Sequence, residues 1–131
     1  MSEKKKILIV DDDDFLLNMY AMKFEKNNCE VKTADSGQNA ISVLKAGYKP
    51  DILILDLVMP GMDGFAIYEK IKKENLAPKA VGVVLTNQGT ESDIQRAKEL
   101  GFYGYIVKAT TIPSEVVDEV LSIYNKNAKE D

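Results

Sequence analysis

Short apolar runs alternate with amphipathic stretches, five times over, along the chain. The runs are Ile7–Val10, Glu30–Ala34, Ile52–Leu55, Val81–Leu85 and Gly104–Val107. Four of them are nearly continuous in isoleucine, leucine and valine, the pattern of parallel strands covered on both faces. The second, Glu-Val-Lys-Thr-Ala, alternates apolar with polar side chains and so suits a sheet edge. Between the runs, apolar residues recur at helical spacing: Leu17, Ala21 and Phe24; Ala40, Val43, Leu44 and Gly47; Ile67 and Ile71; Ile94 and Ala97; Val117, Val120, Leu121 and Tyr124. Gly101 stands where the fourth helix should stop, and Pro113 falls in the first turn of the fifth.

A fivefold strand–helix alternation implies an α/β fold with right-handed crossovers. The expected architecture is a (βα)5 flavodoxin-like three-layer sandwich whose parallel sheet runs in the order 2-1-3-4-5. A single domain over residues 1–131 is expected, with its core at about 5–125 and no output domain after the fifth helix. Ligands of such sheets sit outside the carboxyl ends of the strands, where the order reverses between strands 1 and 3.

That rule singles out a few polar residues. Strand 1 runs into four consecutive aspartates, Asp11 to Asp14; strand 3 ends in Asp56, strand 4 in Thr86 and strand 5 in Lys108. Two carboxylates about 4 Å apart repel by roughly 4 kcal/mol at an intermediate effective dielectric. Asp11, Asp12 and Asp56 together therefore call for a cation. An all-oxygen set without His or Cys favours Mg²⁺ or Mn²⁺ over zinc. A carboxylate ringed by a metal, a lysine and a threonine is what aspartyl-phosphate chemistry needs, because the positive groups neutralise charge on the phosphoryl oxygens. Asp13 and Asp14 are read as the acidic start of helix 1, Asp51 as a strand entry, and Asp63 as a helix cap. Pro60, Gly61 and Gly64 supply turn chemistry around the Asp56 loop.

Composition narrows the rest. With 45% hydrophobic and 29% charged residues the chain reads as a soluble globular domain, and its net charge of −4 gives no basic footprint for direct nucleic acid binding. Lys4 to Lys6 are expected to form a solvated N-terminal tail. The lone Cys29 excludes an internal disulfide and fits a reducing, cytoplasmic setting. No apolar stretch reaches the ~18 residues of a membrane span, so no membrane association is expected. The sequence has no histidine, which removes His-based triads and any phosphohistidine carried on these residues.

The sequence resembles a response-regulator receiver domain of two-component phosphorelay signalling, from about Lys5 to Asn125. The resemblance rests on Ile-Leu-Ile-Val-Asp-Asp and on the Asp-x-x-Met-Pro-Gly-x-Asp-Gly segment from Asp56 to Gly64. Thr86 and the Tyr-Ile-Val-Lys of strand 5 complete it, with separations of 45, 30 and 22 residues between Asp11, Asp56, Thr86 and Lys108. It implies a signalling module, not an enzyme beyond its own phosphorylation and dephosphorylation. Asp56 would be the phosphoacceptor; Asp11, Asp12, Asp56 and the Val58 backbone carbonyl would hold Mg²⁺. Lys108 and Thr86 would contact the phosphoryl group, and Thr86 and Tyr105 would switch the helix 4–strand 5–helix 5 face. Val58 and Gln88 occupy the positions that modulate hydrolysis; valine cannot orient a water, whereas glutamine can, and a long-lived phosphoryl group is expected. The implied partners are a histidine kinase or phosphotransfer protein as donor and an unidentified output protein, with a phosphorylation-dependent homodimer as a further implication.

The sequence departs from that family at Lys108-Ala109, where a proline usually follows the lysine. A cis bond before alanine costs about 2.5–4 kcal/mol, so a trans bond with a rearranged loop is expected. Asn87 replaces a very small residue beside Thr86. Two other readings stay open. One is a pseudo-receiver that works only as a docking module. The other is an aspartate-nucleophile phosphatase using Asp11-x-Asp13, which leaves Asp56 unexplained. An FMN site is set aside, because four aspartates would repel its phosphate.

Overall fold

The computed structural model describes residues 4–128. Five strands form one parallel sheet: β1 (Lys5–Val10), β2 (Cys29–Ala34), β3 (Ile52–Leu55), β4 (Val81–Thr86) and β5 (Gly104–Val107). Their order is β2-β1-β3-β4-β5, as the alternation predicts, with the half-polar β2 at one edge. The helices are α1 (Asp14–Glu25), α2 (Gly37–Lys45), α3 (Gly64–Lys73), α4 (Glu91–Leu100) and α5 (Pro113–Asn127).

Successive strand residues point to opposite faces, so each strand feeds two cores. Ile7, Ile9, Ile52 and Ile54 pack with Leu17, Tyr20 and Phe24 of α1 and Val116, Val117 and Val120 of α5. Leu8, Val10, Leu53 and Leu55 pack on the other side with α2, α3 and Ala97 of α4. The three layers follow directly from this double burial.

Some helical faces differ from the sequence reading. Tyr20, rather than Ala21, joins Leu17 and Phe24 in the core under α1. Helix α2 buries Gly37, Ala40, Ile41 and Leu44, and it ends at Lys45; Gly47 lies beyond it with φ of 109°. In α5, Val116 takes the buried position expected for Leu121, which is only partly covered. Lys5 and Lys6 belong to β1 and not to a tail, and Lys5 Nζ lies 5.5 Å from the Tyr124 ring centre.

Helix starts match their caps. Asp13 accepts from Leu16 N at 3.1 Å and Asp63 from Ala66 N at 2.9 Å, each satisfying a free first-turn N–H group. Gly101 closes α4 in the left-handed region, φ 97°, and Pro113 opens α5. Asp51, just before β3, accepts from Lys6 N at 2.9 Å and pairs with Lys79 at 3.3 Å. The Lys108–Ala109 bond is trans, and the rearranged loop there is a 3₁₀ turn over Lys108–Thr110.

Candidate functional site

Register brings the site together. Val10 pairs with Leu55, Leu55 with Val84, and Thr86 with Val107. The next residues after β1, β3 and β5, namely Asp11, Asp56 and Lys108, therefore emerge side by side at the carboxyl end of the sheet. Backbone hydrogen bonds hold the first two there: Asp11 N donates to Ala34 O at 3.1 Å, and Asp56 N to Val10 O at 3.0 Å. Asp11, Asp56 and Thr86 are buried polar residues, at 2%, 6% and 0% exposure, and the Lys108 side chain beside them is only 7% exposed.

The two buried carboxylates are held alike. Asp11 Oδ1 accepts from Asp13 N at 3.0 Å, and Asp56 Oδ1 accepts from Val58 N at 3.3 Å. Each is an Asx-type turn closing on the residue two positions on. The second oxygen of each then faces Lys108, whose Nζ lies 2.6 Å from Asp11 Oδ2 and 3.1 Å from Asp56 Oδ2. Burial pushes the Asp11 carboxyl up, and the hydrogen bonds from Lys108 and Asp13 N only partly offset it. Burial by itself would lower Lys108, but the hydrogen bond to Asp11 and the charges of Asp56 and Asp11 outweigh it and raise the ammonium.

Asp12 is exposed at the rim. One carboxylate oxygen each from Asp11, Asp12 and Asp56 lies within 4.8 Å of the others. Opposite ligands of a six-coordinate Mg²⁺ are roughly 4.2 Å apart, given ~2.1 Å bonds, so small side-chain movements suffice. The hard, all-oxygen donor set fits such an ion.

These residues line a cavity of about 350 Å³ with Leu16, Asn87 and Gln88. A larger groove of about 880 Å³ lies between α2 and α3, lined by Ile41, Met62 and Ala66 with Lys45 and Lys70 at one side. Asp11, Asp56 and Lys108 converge in the smaller cavity. Thr86 lines it with a buried hydroxyl that accepts from Gln88 N at 3.5 Å. Tyr105, half-buried on β5, donates to Gln88 O at 2.5 Å. Gln88 is therefore a junction between Thr86 and Tyr105. The sequence marks Gln88 only as a hydrolysis-modulating position, because these links run through backbone atoms that have no signature in residue type. The clamp from Asp13 N on Asp11 was also missed, although the Asp-x-Asp spacing carried the signal.

The receiver-domain model of the response regulators matches residues 7–120. The chain belongs to the response regulator receiver domain family, signalling modules of two-component systems. It is similar to the transcriptional regulatory protein ResD of Bacillus subtilis (strain 168), 33% identical over 126 residues. That match covers 95% of this chain and 50% of ResD. It is also similar to the alkaline phosphatase synthesis transcriptional regulatory protein PhoP of the same organism, 29% identical over 94% of this chain and 50% of that protein. The chain spans about half the length of these curated relatives. Among solved structures, the chemotaxis protein CheY4 of Vibrio cholerae shares the fold, with a TM-score of 0.84 at 24% identity over 92% of this chain and 98% of that one. A response regulator receiver domain from Clostridium thermocellum gives 0.80 at 25% identity, over 93% and 95%.

Proposed function

We propose that Asp56 is the phosphoacceptor of this receiver domain and that phosphorylation switches a surface read by a partner. The observation that carries this is the placement of Asp56: buried at the end of β3, hydrogen-bonded to Val58 N, and 3.1 Å from Lys108. An Asp56 oxygen attacks phosphorus, the P–N bond of a partner phosphohistidine breaks, and the imidazole leaves. The 131 residues contain no histidine, so the donor lies outside them, on a histidine kinase or phosphotransfer protein. A divalent ion held by Asp11, Asp12, Asp56 and the Val58 carbonyl would supply positive charge to the phosphoryl oxygens. Lys108 neutralises charge from the other side. It leaves its bridge between Asp11 and Asp56 to do so, and Thr86 turns its hydroxyl from Gln88 N toward the phosphoryl group.

The readout surface is α4, β5 and α5. Tyr105 is tied to the same Gln88 that engages Thr86, which supports a shared movement. The output partner is a transcription or other effector protein, or a second copy of this chain, in the cytoplasm; the names of the relatives support a transcriptional output. Val58, 55% exposed, has a side chain that offers no polar group to a hydrolytic water, which supports a long-lived phosphoryl group.

Intact mass after incubation with acetyl phosphate and Mg²⁺, beside Asp56→Asn, tests the proposal. One Mg²⁺-dependent adduct that vanishes in the variant is expected. An adduct persisting in the variant would shift the nucleophile to Asp11. Mg²⁺ binding without any adduct from acetyl phosphate or a phosphohistidine donor would make this a pseudo-receiver.

A further inference from the structure

Helices α2 and α3 touch near their starts, since a Cβ on Gly37 would lie 2.7 Å from Ile67 Cγ1. Near their ends they are joined by charge: Glu74, just past α3, lies 2.8 Å from Lys70 Nζ and 3.7 Å from Lys45 Nζ. The groove of about 880 Å³ lies along both helices. Each helix offers it the same pair, an apolar residue and a lysine one turn on: Ile41 with Lys45 on α2, Ala66 with Lys70 on α3. Met62, 36% exposed, adds apolar surface from the loop between β3 and α3. Two ammoniums share one carboxylate here, so the rim keeps one positive charge in excess on a chain whose net charge is −4. Lysines in a last turn complement the helix dipole on their own. That accounts for their charge but not for their placement, which flanks an apolar groove from both sides.

We propose that the α2–α3 groove is a docking site for an acidic amphipathic helix of a partner protein, with its apolar face on Ile41, Met62 and Ala66 and a carboxylate between Lys45 and Lys70. Residues four apart on a helix have Cβ atoms about 5–6 Å from one another. An apolar anchor and a carboxylate at that spacing on the partner therefore match the apolar-to-lysine step that α2 and α3 both present. Helices that lie in apolar grooves are held by anchors of this kind. The incoming carboxylate gives the two lysines the second anion that Glu74 alone does not supply, and the excess positive charge selects against a basic segment. None of the residues lining the groove belongs to α4, β5 or α5, so this is a second surface beside the one that phosphorylation switches.

Peptides selected from a displayed random library on the wild-type protein serve as the probe, labelled with fluorescein and followed by anisotropy. The enriched peptides should carry Asp or Glu at helical spacing from an apolar residue, and their binding should weaken as salt rises. Ala66→Phe, which fills the groove, should weaken binding about tenfold, the scale of one lost apolar anchor. Lys45→Glu combined with Lys70→Glu should weaken it at least as much, and binding should return when the peptide's acids are changed to lysine. Circular dichroism shows whether Ala66→Phe folds, and the charge reversal decides the question if it does not. No enrichment, enrichment of basic peptides, or affinities that the folded variants leave unchanged would overturn the proposal. A wild-type dimer in sedimentation that Ala66→Phe disperses would give the groove to a second copy of this chain and overturn it as well. All of these measurements are made without acetyl phosphate, so a failure of Asp56 as acceptor would leave the docking result standing.

Discussion

Lys108 lies closer to Asp11 than to Asp56, 2.6 Å against 3.1 Å. The proposed acceptor is thus the looser of two partners, and the lysine in this state serves chiefly to compensate the more buried carboxylate. Removing the ammonium leaves two buried acids facing one another. Lys108→Met should therefore destabilise the domain by about 3 kcal/mol without divalent ions, the usual scale for breaking a buried pair by deleting one partner. Adding Asp11→Asn should recover much of that loss. Guanidinium unfolding of the three proteins checks it, and equal midpoints for wild type and Lys108→Met would refute the compensating role.

The raised Asp11 carboxyl carries a sign that can be tested. Its proton is bound more tightly in the folded than in the unfolded chain, where the ordinary value is near 3.8. The stabilisation it gives is fully present below that value and is lost as pH rises through the folded value. Relative to Asp11→Asn, which has no such proton, the wild type should lose stability as pH rises above the ordinary carboxylate value near 3.8. Unfolding of both proteins in chelator, at several pH values, measures the gap. A gap that stays constant would show that burial does not dominate at Asp11.

A divalent ion should reverse part of that cost. Binding only the folded state stabilises it by about 1.4 kcal/mol when free Mg²⁺ is tenfold above its Kd. Asp12 is the exposed member of the acidic set, so Asp12→Ala should remove most of the Mg²⁺ effect while changing stability in chelator by less than about 0.5 kcal/mol. Thermal melts with Mg²⁺ and with chelator, on wild type and variant, separate the two effects. A melt shift by Mg²⁺ that survives in Asp12→Ala would place the ion elsewhere.

Much of this was legible in the sequence, for reasons specific to each element. Doubly buried strands such as Ile52–Leu55 must be apolar throughout, so they stand out and give the sheet its parallel character. Once strand ends are known, the flush register makes Asp11, Asp56 and Lys108 neighbours. Helical faces were less legible. Tyr20, not Ala21, joins the core cluster that contains Ile106 and the α5 valines, a matter of packing that the spacing of apolar residues does not settle. The 3₁₀ turn at Lys108–Thr110 and the Gln88 junction were not legible in detail, since they rest on backbone atoms common to every residue type.

Tyr105→Phe tests the junction without disturbing the acidic cluster. The lost hydroxyl donates to the Gln88 carbonyl, which water can reach once it is freed, so the cost should be small, about 0.5–1 kcal/mol. Because no phosphoryl contact is removed, the rate of adduct formation should stay within twofold of wild type (~0.4 kcal/mol). Amide exchange of the loop from Asn87 to Thr90 should quicken, since one of its ties is gone. Unchanged exchange there would mean that Tyr105 does not restrain the loop.

Gly64 sets the position of the Asp56 loop. A Cβ on it would lie 2.9 Å from Leu57 Cα and 3.0 Å from the Asp56 carbonyl carbon, and closer still to the Asp56 carbonyl oxygen. All three are backbone atoms, so no side chain can yield. Gly64→Ala must therefore lift the Asp56 segment away from α3 at a cost of about 1–3 kcal/mol. Gly47 supplies the control: its Cβ would meet open space, and its φ of 109° makes alanine strained for conformational reasons alone, about 1 kcal/mol. Gly47→Ala should lower stability yet take up phosphate from acetyl phosphate at the wild-type rate. Gly64→Ala should slow uptake severalfold even at temperatures where it is fully folded. Equal rates in the two variants would mean that the Asp56 loop tolerates displacement, and that the close approach of α3 serves packing rather than the positioning of Asp56.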